Sequence, residues 1–165
     1  MLSYAIAMGA IASDTTTLVH VILSLMGIAS GFVVLFGLLR ARPMGAWTGI
    51  FLATTVLTSA TGFLFPFHKF LPSHAIGILS LIVLGIAIVA RYMKHMEGGW
   101  RKTYVITAVI ALYFNVFVLI AQMFMKVPAL HELAPTGSEP PFLVAQLIVV
   151  VLFILIGHRA VKGFR

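Results

Sequence analysis

Two histidines, His20 and His74, interrupt stretches of the chain that are otherwise almost wholly apolar. An ionisable group at membrane depth is a functional candidate by default, because lipid penalises anything that can carry charge. A neutral imidazole has one N–H donor and one lone pair. Two facing imidazoles can therefore ligate haem iron axially, or with a third donor hold copper or zinc. Uncharged polar residues lie in the same kind of surroundings: Ser24, the set Thr54, Thr55, Thr58, Ser59 and Thr61, and then Asn115, Gln122 and Gln146. Thr54, Thr58 and Thr61 follow the i, i+4, i+7 spacing of one helical face, and Asn115 and Gln122 share another. Such groups avoid lipid, so both faces should turn toward the interior of a bundle.

Two readings of these residues stand side by side. In the structural one, Ser and Thr hydroxyls bond back to the preceding turn, and the amides join helices at about 0.6 kcal/mol apiece. His20 then bonds a neighbouring helix and His74 sits in the first turn of its own. In the functional one, His20, Ser24, Thr58, Thr61, His74, Asn115, Gln122 and Gln146 form a polar ligand pocket near the outer face, with His20 and His74 as metal or haem ligands. His68 and His131, with Met123 and Met125 nearby, belong to the same side and would suit copper, but no HxH, HxxxH or MxxM cluster is present.

What is missing narrows the classes further. No Asp, Glu, Lys or Arg lies well inside a hydrophobic stretch, which disfavours proton relays, voltage sensors and ion-coupled carriers. The chain has no cysteine, excluding disulfides, thiolate metal sites and CxxC redox chemistry. There is no nucleotide loop, GxSxG, HExxH or nucleophile–base motif, so no catalytic residue is assigned and the reading leans away from an enzyme.

The elements that must position these side chains are membrane helices. Of the 165 residues, 61% are hydrophobic and 9% charged, with a mean hydropathy of +1.12. Soluble domains carry about 25% charged residues, so lipid is the expected solvent. The expected fold is all-α, one polytopic bundle with spans over about 18–39, 45–65, 73–91, 104–125 and 142–157; at about 1.5 Å per residue the longest reach about 30 Å, and the fifth, the shortest, borrows residues from its flanks. Asp14 and Thr15–Thr17 offer N-cap oxygens before the first span, and Arg40-Ala41-Arg42-Pro43 stops it. Spans one and three run the same way, and His20 and His74 both lie near their starts, which places the two imidazoles at similar depth.

Nine of the eleven Lys and Arg residues fall in Arg40/Arg42, Arg91/Lys94/Arg101/Lys102 and Arg159/Lys162/Arg165, all on one side of this arrangement. Only Lys69 and Lys126 fall on the other, among Asp14, Glu132 and Glu139. Basic residues are retained on the cytoplasmic face, so the N-terminus is expected outside and the C-terminus inside. The net charge of +7 is then topological, not a nucleic-acid footprint; the basic segments meet anionic lipid, at about 1 kcal/mol per Lys or Arg. Treating the fifth stretch as a re-entrant helix would put its basic residues outside, against that rule.

Four prolines in the segment from Lys126 to Pro141 argue against a long helix there, leaving a lid or a tether. The first twelve residues are apolar without Lys or Arg, consistent with an interfacial helix or a frayed extension; Ala10-Ile11-Ala12 is a small-residue run of the kind signal peptidases cleave. Gly27-xxx-Gly31 and Gly45-xxx-Gly49 allow close helix approach, within the bundle or in a homo-oligomer or larger membrane complex. The Phe63–Phe67 run with Phe70 makes an aromatic belt at the outer interface.

The segments Val19-His20-Val21, Thr58-Ser59-Ala60-Thr61-Gly62-Phe63 and Pro72-Ser73-His74-Ala75-Ile76-Gly77 resemble those of small bacterial inner-membrane proteins with no established activity. This implies a multi-pass protein of that membrane. The layout also resembles cytochrome b561-like haem proteins, in which histidines on several helices hold haem at each face. That resemblance implies haem b between His20 and His74; the inside candidates His95 and His158 lie at or beyond helix ends. Three functions remain open: a non-catalytic protein binding a partner subunit or small ligand, a b-type haem electron carrier, and a small facilitator or channel.

Overall fold

The computed structural model describes the backbone of residues 2–65 and 72–164 and the side chains of residues 14–65 and 74–164. All regular structure among these residues is helical. It comprises α1 (Leu2–Leu39), α2 (Gly45–Gly62), α3 (Pro72–Ile88) continuing into a π-helical turn (Val89–Met93), α4 (Trp100–Lys126), the short α5 (Pro128–Leu133) and α6 (Pro140–Gly163). A helix satisfies its own backbone donors and acceptors, which is what a chain this apolar requires in lipid.

Four helical segments are long and apolar enough to cross a membrane: Asp14–Leu39, His74–Met93, Trp100–Lys126 and Pro140–Gly163. At 18 residues, α2 is not among them, because five threonines, a serine and three glycines dilute its apolar content. Its polarity is turned inward: Thr48, Thr54 and Thr55 are buried beside Phe51 and Leu52, and Thr54 Oγ1 donates to the Ile50 carbonyl at 2.7 Å.

Several boundaries differ from expectation. Asp14 and Thr15–Thr17 lie inside α1 rather than capping it, because the Leu, Ala, Ile and Met residues upstream are good helix formers and extend it backward. The fourth helix starts at Trp100, and the last runs 24 residues from Pro140. A proline in the first turn opens both α5 and α6, where its missing N–H costs nothing. The segment between α4 and α6 thus holds only a six-residue helix, as its prolines require.

The consecutive long helices run antiparallel, each to the next. The backbone of Gly31 meets Phe51 and that of Gly62 meets His20 between α1 and α2. Ser59 Oγ donates to Ser80 Oγ at 3.1 Å between α2 and α3, and Gln146 reaches the Phe117 carbonyl between α6 and α4. The helices α1 to α4 form a ring, while α6 packs outside it against α1 and α4, with Phe153 between Phe32 and Tyr113.

The core sits in the half of the bundle that carries the basic turns. Val34, Leu35, Leu38, Phe51, Leu52, Leu84, Ala87, Ala90, Tyr104, Val105, Ala108 and Leu112 are all buried there. Lipid tails are as apolar as leucine, so van der Waals fit holds this seam, and small residues set how closely the helices approach. A side chain at Gly31 would place its Cβ 2.6 Å from Leu112 and 2.9 Å from Phe51. The Arg91 guanidinium, on the π-helical turn, lies 5.1 Å from the ring centre of Tyr104, whose hydroxyl is 3.3 Å from Thr48 Oγ1. Three non-glycine residues of the basic turns, Ala41, His95 and Met96, have φ of 54°, 47° and 58°.

Candidate ligand cavity

At the opposite end the four ring helices diverge. The first described turns of α1 carry His20 and Ser24, one turn apart on the same face. The last turns of α2 carry Thr58, Ser59 and Thr61, the first turns of α3 carry His74, Gly77 and Ser80, and the C-terminal half of α4 carries Asn115 and Gln122. These faces enclose a cavity of about 700 Å³, within the range that small-molecule sites occupy.

Six of the eight residues picked from sequence line this one cavity: His20, Ser24, Thr58, His74, Asn115 and Gln122. Thr61 stands behind His20, its Oγ1 2.9 Å from Nδ1. Gln146 is not brought there. It is buried between α6 and α4, donating from Nε2 to the Phe117 carbonyl at 3.1 Å, while its Oε1 is buried with no protein partner. Gln146 fell on the wrong side because α6 lies outside the ring, which composition cannot reveal.

Much of the polar lining is also structurally engaged. Ser24 Oγ donates to the His20 carbonyl at 2.8 Å, and Asn115 Nδ2 donates to Thr55 Oγ1 at 3.1 Å. Thr61 Oγ1 donates back to the Leu57 carbonyl at 2.8 Å. Thr58 departs from this pattern: the residue lines the cavity, but its Oγ1 is buried away from that space and has no partner in the protein. A buried hydroxyl left unpaired costs roughly 1–3 kcal/mol.

Aromatic rings flank both histidines. His20 meets Phe65 edge-on at 5.2 Å between centres, and the Phe63 ring lies 6.0 Å from His74. Phe63, Phe65, Phe114, Ser80 and Lys126 all line the cavity, and none was singled out for it from sequence. Ser80 follows His74 and Gly77 at i+6 and i+3, a helical face that spacing could have shown. Phe63 and Phe65 read as an interfacial belt; the later part of that run, from 66 onward to Phe70, lies outside the described residues, as does His68. Lys126 is exposed at the end of α4, and no acidic side chain lines the cavity among the described residues.

One turn below Asn115 the bundle closes, where Gly31 admits Phe51 and Leu112. The short α5 packs on α4 and adds no lining residue, so the segment leading to α6 does not cover the cavity among the described residues. No group of three His, Asp or Glu side chains able to hold a metal ion occurs among the described residues. Met123 lines the cavity together with His20 and His74. The chain matches no family model, no curated protein and no solved structure.

Proposed function

We propose that this protein is a five-span integral membrane protein, N-terminus outside and C-terminus inside, that binds a small molecule in the cavity near its outer face. The observation that carries this reading is the convergence of polar groups from four helices on one 700 Å³ space, opposite the basic turns. In the proposed topology α2 is the fifth crossing: its hydroxyls bond within the bundle, so its modest hydropathy does not reach lipid. The basic turns lie inside, which puts the protein in a plasma membrane, the bacterial inner membrane on the resemblance above. Native mass spectrometry of the protein released from nanodiscs tests this. A bound small molecule is expected, retained by the wild type and lost in Ser24→Phe, which fills the cavity. A wild type carrying nothing, alone or with a co-purifying subunit in that space instead, would count against it.

A second reading has a specific observation behind it: His20 and His74 line the same cavity, as haem b held between them requires. A Soret band on protein from haem-replete cells, abolished in His20→Ala, is the result that would support it; a colourless preparation would end it. The closed packing around Phe51 and Leu112 supports neither a channel nor a facilitator.

A further inference from the structure

The orientation of one hydrogen bond specifies the chemistry of the ligand. Thr61 Oγ1 lies 2.8 Å from the Leu57 carbonyl and 2.9 Å from His20 Nδ1. A hydroxyl has a single hydrogen. A carbonyl oxygen can only accept, so the hydrogen of Thr61 goes back to Leu57, and the contact with His20 is then made by an Nδ1–H donating to Thr61. A neutral imidazole protonated at Nδ1 has a bare lone pair at Nε2. His20 lines the cavity, so it offers the ligand an acceptor.

A ligand that meets a bare lone pair must bring a hydrogen-bond donor, and the smallest uncharged donor that an apolar chain can carry is a hydroxyl. Charge narrows the class further. Without an acidic side chain in the described lining, a cation would be desolvated with nothing to balance it, and Lys126 at the mouth repels it. An anion would find Lys126, yet it cannot donate to Nε2 and would face its lone pair. The remaining walls are apolar, including Leu25, Ile28, Phe114, Val118 and Leu119.

We infer that the cavity takes an uncharged amphiphile whose hydroxyl donates to Nε2 of His20, with its apolar body against α1 and α4. This rests on the ligand-binding reading, and the experiment separates the two. Histidine side chains are labelled with nitrogen-15 in nanodisc-embedded protein, and the His20 signals are assigned by their loss in His20→Gln. The free protein should show a single Nδ1–H tautomer, which Thr61→Val should disperse. Four probes of equal chain length are then titrated: dodecanol, dodecyl methyl ether, dodecanoate and dodecylammonium. Dodecanol should move the Nε2 signal saturably and bind at least about 5-fold more tightly than the ether, the range one hydrogen bond spans. An Nε2–H tautomer, an ether as tight as the alcohol, or a preference for either charged probe would overturn the inference while leaving a binding cavity in place. Absence of saturable binding by all four would remove both.

Discussion

Ala41 shows how a single residue in a basic turn can carry a removable cost. Its φ of 54° lies in the left-handed region, which disfavours an L side chain by roughly 1–2 kcal/mol. Ala41→Gly is therefore expected to stabilise the protein by up to about 1 kcal/mol, the rest being lost to the greater freedom of glycine in the unfolded chain. Unfolding in mixed detergent would register this as a raised midpoint; an unchanged or lowered one contradicts it. Glu139 is the other residue with a readable state. Its carboxylate accepts from the backbone N–H of Thr136 at 2.9 Å and of Ser138 at 3.0 Å, and the Thr136 bond foremost holds its pKa down at about 2, from 4.5. A depressed pKa means the bond contributes above pH 4.5 and is lost as the pH falls toward 2. The Thr136 amide should thus lose protection, measured against its intrinsic exchange rate, across that window, and Glu139→Gln should remove the pH dependence of that protection. A protection factor constant from pH 5 to about 2 would contradict the assignment. At this scale the sequence was informative about type and less so about partners. His20, Asn115 and Thr58 stood out because polar atoms are rare in such surroundings. That Thr61 back-bonds while Thr58 does not depends on side-chain rotamers set by neighbouring helices.

Among the elements, α1 decides where the bundle is tight and where it opens. Gly27 and Gly31 let α2 and α4 approach, and a Cβ at Gly31 would collide with both Leu112 and Phe51. Gly31→Val is expected to cost about 1–3 kcal/mol, the usual range for overpacking, whereas Gly85→Val, with open space around it, should be neutral or slightly stabilising, since valine is a better helix former than glycine. Equal effects of the two substitutions on the unfolding midpoint would show that Gly31 is not a packing hinge. The small-residue spacing was legible in the sequence; its use inside one chain was not, since a GxxxG pair serves a dimer equally well. Helix ends were legible only where proline or a charge cluster fixes them, as at Pro140 and Arg40. The backward extension of α1 past Asp14 was missed because an N-cap residue caps only where the chain leaves the helix, and the residues before it favour continuing.

At the scale of the whole molecule, two halves with different physics share one set of helices. The half bearing the basic turns is packed shut on leucine, alanine and aromatic side chains, and the other half holds the polar cavity. Charge sorting along the sequence marked those ends, because Lys and Arg cluster at alternate turns. Which half would be open was beyond its reach, since a gap of 700 Å³ arises from divergence of α1 to α4 and not from any residue type. In the proposed function this gap is an aqueous, ligand-accessible space reached from the outer face. The chain has no cysteine, so single thiols can be introduced without background. Ser24→Cys, in the cavity, should react with a small charged methanethiosulfonate added outside intact cells and be protected by a bound ligand. Ser30→Cys, 1% exposed in the packed half, and Ile82→Cys, 56% exposed on the outer surface of α3 where the account places lipid, should stay unreacted. A Ser24→Cys thiol as inert as these two, or reactive only from the cytoplasmic side, would contradict the claim.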